Sequence, residues 1–147
     1  MKKIKKRLVV FIALAIMAIP MFMSNVFAAG PNNKDTDFDF TTRGNYLHCH
    51  GDWFRDKRDS SAPYVYLTTA SGQIDIRIVS AVNKNGDGAT DATKGVAYMK
   101  KGEKRRIRCS VKDVGRVWCT VGVKTPTNQY LKGVWSPDSV GTYPYAN

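Results

Sequence analysis

The sequence predicts an all-β chain: a small antiparallel β-sandwich or barrel of about seven to eight strands, following an N-terminal signal peptide helix. Two observations carry this. Beyond residue 37 apolar side chains recur at every second position, and the breaks between these runs hold Gly, Asn, Asp, Ser or Pro. No segment there has the 3.6-residue period of a helix. The chain divides accordingly into a signal peptide (1–28), a flexible leader (29–37), a β domain (38–138) and a C-terminal tail (139–147).

The signal peptide rests on Lys2, Lys3, Lys5, Lys6 and Arg7, which precede an uncharged stretch from Leu8 to Ala29. A cationic cluster stays on the cytoplasmic side while the apolar stretch inserts and draws the chain across. Val26, Phe27 and Ala28 place small side chains three and one before a cut between Ala28 and Ala29. Pro20, Ser24 and Asn25 argue against a retained membrane anchor. The expected location is secreted and extracellular, with cell-surface association compatible.

In the leader, Pro, Asn, Lys and Asp offer nothing to bury. Phe38 and Phe40 then alternate with polar residues, and a turn at Gly44 and Asn45 predicts a hairpin with the aromatic run from Tyr46 to Phe54. Tyr64 to Thr68 reads as a strand, and Ser71 and Gly72 lead into the clearest one, where Ile74, Ile76 and Ile78 face one way and Asp75 and Arg77 the other. Asn83 to Lys94 reads as an exposed loop. Its Asn83, Asn85, Asp87 and Asp91 supply oxygen ligands at alternate positions, but no Glu completes a calcium loop. Val96 to Met99 is a short strand, and Tyr130 to Trp135 the last one.

Between them, Ile107, Cys109 and Val111 alternate, as do Val117, Cys119, Val121 and Val123. Asp113, Val114 and Gly115 form a three-residue hairpin loop with Gly at the positive-φ position. That register sets Cys109 opposite Cys119 in a close, non-hydrogen-bonded pair, Cα atoms about 4.5 Å apart. An oxidising exterior then predicts a disulfide between Cys109 and Cys119, with Cys49 left over.

The first 28 residues hold five of the 23 Lys and Arg and none of the 12 Asp and Glu, so the remainder carries a net +6. Much of it is local: Lys100, Lys101, Lys104, Arg105, Arg106 and Arg108 fall within nine residues. Alternation sends Lys104, Arg106 and Arg108 to the face opposite Ile107, with Lys100 and Lys101 on the adjoining turn. This predicts an anion-binding patch of Lys100, Lys101, Lys104, Arg106 and Arg108, or a charged edge that blunts aggregation.

His48 and His50 project from one strand face and Cys49 from the other, which makes the two histidines weak candidates for a metal and a poor fit to thiol catalysis. Trp53, Trp118 and Trp135 suit a glycan surface or a sandwich core. No carboxylate pair marks a glycosidase, and no serine sits in a nucleophile elbow. The expectation is a protein that is not an enzyme, takes no cofactor and binds no specific nucleic acid.

With Phe38-Asp39-Phe40 near its start and Gly133-Val134-Trp135-Ser136-Pro137-Asp138-Ser139 near its end, the chain resembles small secreted Gram-positive proteins of unknown function. It also resembles, distantly, the lactococcin 972 type of β-sandwich bacteriocin. That likeness implies a cell-envelope target and transfers no functional residue, since the cysteines follow no pattern of that class. The function expected is binding at a bacterial cell envelope, to an anionic polymer or membrane surface. An extracellular module for an unknown protein or glycan is the alternative.

Overall fold

The computed structural model describes residues 30–44, 46–49 and 53–147, and among them the chain forms ten strands in two sheets. The signal segment, the cut at Ala28 and Ala29, and His50 lie outside the described residues. The strands are β1 (Thr36–Thr41), β2 (Leu47–Cys49), β3 (Arg55–Asp56), β4 (Tyr64–Thr69), β5 (Ile74–Ala81), β6 (Thr90–Asp91), β7 (Tyr98–Met99), β8 (Lys104–Arg106), β9 (Trp118–Lys124) and β10 (Tyr130–Ser136). One sheet has the order β1-β10-β4-β8; the other has β2-β9-β5-β6, with β3 also on β9 and β7 also on β5. All strand pairs are antiparallel. This is a small all-β fold of the sandwich or barrel kind.

The core lies where the inward faces of both sheets meet. Ile74, Ile76 and Ile78 of β5 join Val121 and Val123 of β9, and these pack with Phe38, Val65, Leu67, Leu131 and Trp135 of the first sheet. Period-two alternation puts Asp75 and Arg77 on the reverse face of β5 with Val79 and Ala81, which make a second, smaller cluster with Phe54 and Trp118.

Three sequence expectations change. β1 does not pair with the run after Tyr46 but with β10, in a register that sets Phe38 against Gly133. Gly133 is required there: a Cβ would lie 2.3 Å from the Tyr66 carbonyl oxygen and 2.6 Å from Phe38 Cζ. The hairpin joining Cys109 to Cys119 does not form. Ser110 N–H donates to Ala92 C=O at 2.8 Å and Lys94 N–H to Arg108 C=O at 2.9 Å, so the segment around Cys109 pairs with residues 92–94.

The disulfide expected between Cys109 and Cys119 is accordingly absent, and all three cysteines are free thiols. Cys119 sits within β9 between Ser80 of β5 and Arg55 of β3, with both cross-strand positions already filled. Residues 110–116 wind into a compact turn closed by Val114 N–H to Ser110 C=O and Arg116 N–H to Val111 C=O. Gly115 does take positive φ, +70°, but in that turn rather than in a hairpin.

Before β1, Asn32 is tied down: its N–H donates to Asp138 Oδ2 at 2.7 Å and its Nδ2 to Asp56 Oδ1 at 2.8 Å.

Candidate anion-binding edge

β8 is the last strand of its sheet, and its register on β4 sets Tyr64 against Arg106, Val65 against Arg105 and Tyr66 against Lys104. Val65 is a core residue, so the alternate positions, Tyr64 and Tyr66 with Arg106 and Lys104, share the outer face. Lys104 Nζ stands 4.9 Å over the Tyr66 ring, a cation–π contact that leaves the ammonium at the surface.

Lys100 and Lys101 stand on the turn between β7 and β8. Gly102, at φ +88°, donates its N–H to Leu67 C=O at 2.7 Å and folds that turn back on β4. Both lysines are exposed, beside a depression of about 290 Å³ that they line with Ser71 and Gly72. Glu103 is occupied: it accepts from Lys100 N–H at 2.7 Å and from Arg105 at 2.5 Å. The Lys100 N–H, opposed by partial burial and helped by Arg105, holds its carboxyl below the usual range. Arg105 is thus neutralised, while none of Lys100, Lys101, Lys104, Arg106 and Arg108 makes an ion pair with an Asp or Glu among the described residues.

The C-terminal tail lies along this edge, a feature the sequence reading missed. Arg106 N–H donates to Pro144 C=O at 2.9 Å and Ala146 N–H to Arg106 C=O at 3.0 Å, so the tail adds a parallel bridge outside β8. The Tyr145 ring sits 4.3 Å from the Arg106 guanidinium and 4.0 Å from that of Arg108. Asn147 ties the end down, accepting from Arg108 N–H at 2.8 Å. The available signal was the recurrence of Tyr143, Tyr145 and Asn147 at every second position. The edge therefore has two parts: Lys100, Lys101 and Lys104 face solvent, and Arg106 and Arg108 are braced by the tail.

The other candidates fall elsewhere. His48 Nε2 lies 3.1 Å from the Arg43 nitrogen and 3.0 Å from its carbonyl oxygen, so the ring is engaged with backbone. No group of three His, Cys, Asp or Glu among the described residues is placed to hold a metal. In the 83–94 segment Asn83 closes the turn on itself, accepting from Asn85 N–H and donating to Asp87, while Asp91 of β6 pairs with Arg77 of β5 at 3.2 Å. Burial pushes the Cys49, Cys109 and Cys119 thiols above their ordinary value, the reverse of an activated nucleophile. Trp135 is core, Trp53 stacks on Phe40 at 5.8 Å, and Trp118 belongs to the outer cluster on β5 and β9.

Family models place this architecture in context: one described as a protein of unknown function (DUF2712) matches residues 24–139. The chain belongs to this family. No curated protein and no solved structure matches it. The DUF2712 match takes in all ten strands and ends at Ser139, so the tail residues on the cationic edge lie beyond it.

Proposed function

We propose that this DUF2712 chain is a secreted, non-enzymatic protein that binds an anionic polymer of a bacterial cell envelope through Lys100, Lys101, Lys104, Arg106 and Arg108. One observation carries the reading: Lys104 and Arg106 on the edge strand β8, Lys100 and Lys101 on the turn before it and Arg108 just beyond it have no Asp or Glu paired to them among the described residues. Each exposed cation adds a modest attraction that salt screens, and convergence is what turns such contacts into a polymer site. A bacteriocin-like antagonist is one form of this function; adhesion without killing is another.

The test is binding of the secreted protein to intact cells and purified envelopes across a salt series, with viability recorded. Binding should weaken steeply with salt and with Lys100, Lys101 and Lys104 changed together to Ser. Binding indifferent to both would discard the reading in favour of an extracellular protein or glycan module, for which the exposed Tyr98 and Tyr130 speak.

A further inference from the structure

We infer that the cleft between the segment preceding β1 and the C-terminal tail is a binding site for a neutral pyranose sugar unit. It encloses about 360 Å³ and is lined by Asn33, Asp35, Tyr64, Ser136, Asp138 and Tyr143, with the tail residues 139–141 at its rim. That volume falls in the range of small-molecule sites, and nothing in the cationic-edge reading uses it.

A pyranose presents an apolar face of C–H groups and a rim of hydroxyls, so its site needs an aromatic wall and uncommitted hydrogen-bonding groups. The wall is a pair of tyrosines, Tyr64 and Tyr143, with ring centroids 4.7 Å apart and planes tilted by 36°. Tyr64 is buried and backs the wall, whereas Tyr143 is 38% exposed and presents to it. The polar groups are the exposed side chains of Asn33 and Asp35, which make no hydrogen bond or ion pair among the described residues. A planar amide and a planar carboxylate can each bridge two neighbouring hydroxyls.

Charge selects against an anion. No Lys or Arg lines the cleft. Of its two carboxylates, Asp138 is committed to Lys57 and to the N–H groups of Asn32 and Arg58, and Asp35 is left to face the ligand. The walls are also pre-organised, which limits the entropy lost on binding. Asp138 is fully buried, Ser139 N–H donates to Ser61 Oγ at 2.9 Å, and Arg106 Nε donates to the Tyr143 carbonyl at 2.7 Å. That last bond sets the cleft beside the cationic edge, so a polymer alternating sugars with anionic groups would meet complementary chemistry along one side of the molecule.

The experiment is an NMR titration of the secreted protein with methyl glucopyranoside, methyl galactopyranoside and N-acetylglucosamine in turn. The expected result is saturable shifts at Asn33, Asp35 and Tyr143 with at least one sugar, unchanged by salt and by the triple substitution of Lys100, Lys101 and Lys104 to Ser. Asp35→Ala, at an exposed position, should weaken that binding at least tenfold with an unchanged denaturation midpoint; Tyr143→Leu, which also removes a ring packed on Tyr64, should weaken it at least tenfold in protein that still gives the folded amide spectrum. No saturable shift with any of the three sugars would overturn the inference, as would shifts that persist in both variants. Failure of the cationic edge is read separately, from polyanion binding that ignores the lysine substitutions.

Discussion

Lys57 donates through Nζ to Asp138 Oδ1 at 2.9 Å, with the two side chains only 2% and 0% exposed. Lys57 also donates to the carbonyls of Pro137 and Ser61, and Asp138 Oδ2 accepts the N–H groups of Asn32 at 2.7 Å and Arg58 at 3.0 Å. The pair joins the loop after β3, the loop after β10 and the segment before β1. Two buried charges persist only where their remaining hydrogen-bonding capacity is met, and here it is. Removing one partner strands the other, so Lys57→Met or Asp138→Ala should each lower the unfolding free energy by about 3–5 kcal/mol in urea denaturation. The double variant should lose less than the sum of the two. Single losses below about 1 kcal/mol would place the pair with exposed ion pairs instead.

Acid should act through the same carboxylate. Burial pulls the Asp138 carboxyl upward, but the Lys57 bond and then the Asn32 and Arg58 N–H groups outweigh it and hold the group below the usual carboxylate range. A folded-state value below the unfolded one contributes stability that is present above the unfolded value, about pH 3.9, and is lost as pH falls through the folded one. Denaturation midpoints measured downward from pH 5 should therefore fall more steeply for the wild type than for Asp138→Asn. Parallel curves would remove Asp138 from the acid transition.

Tyr64 contributes to the alkaline limb, alongside the buried thiols. Burial, followed by the neighbouring Tyr143, pushes its phenol up to about 12. Between the unfolded value near pH 10 and this folded value, only the unfolded chain ionises at this position, so stability falls as pH rises through that window. Ultraviolet titration should show a tyrosine ionisation at about pH 12. Tyr64→Phe should abolish that late step and flatten the loss of stability.

The reach and the limit of the sequence both show in β5 and its neighbours. Alternation of Ile74, Ile76 and Ile78 identifies the inward face because the strand period is two, whatever the partner. It does not say which strand lies opposite: β1 pairs with β10 across most of the chain, and residues 92–94, not β9, took the partner position beside Cys109. The density of cations after Lys100 pointed to an edge. The Tyr145 ring between Arg106 and Arg108 could not be read, because nothing local says where a tail returns. Lys57 and Asp138, 81 residues apart, were equally silent, since sequence reading expects lone charges at the surface.

Thiol chemistry tests the corrected register around β9. Cys49 is exposed, Cys109 half-buried and Cys119 fully buried; burial raises all three thiols, so access sets the order of reaction. Native protein should react with a thiol reagent first at Cys49, slowly at Cys109, and at Cys119 only on unfolding. Non-reducing peptide mapping should recover Cys109 and Cys119 in separate peptides. A linked pair would require the 107–111 segment to leave residues 92–94, and so would refute the pairing described.

Gly133 offers the sharpest test of the sheet containing the cationic edge. It lies in β10 between β1 and β4, at the register shift between Lys132 and Gly133, with Phe38 on one side and the Tyr66 carbonyl on the other. Its φ is not positive, so the demand is for space rather than for backbone freedom. A Cβ at 2.3 Å from Tyr66 O meets main chain that cannot rotate away, and one at 2.6 Å from Phe38 Cζ meets a ring packed in the core. Relief means parting β10 from β4, the strand that carries β8. Gly133→Ala should therefore cost at least about 1–3 kcal/mol in chemical denaturation, the range of overpacked cores. The same addition at Gly30, where nothing lies within 4 Å, should be nearly neutral. Equal stability of the two variants would mean that β1, β10 and β4 are not in the register found here.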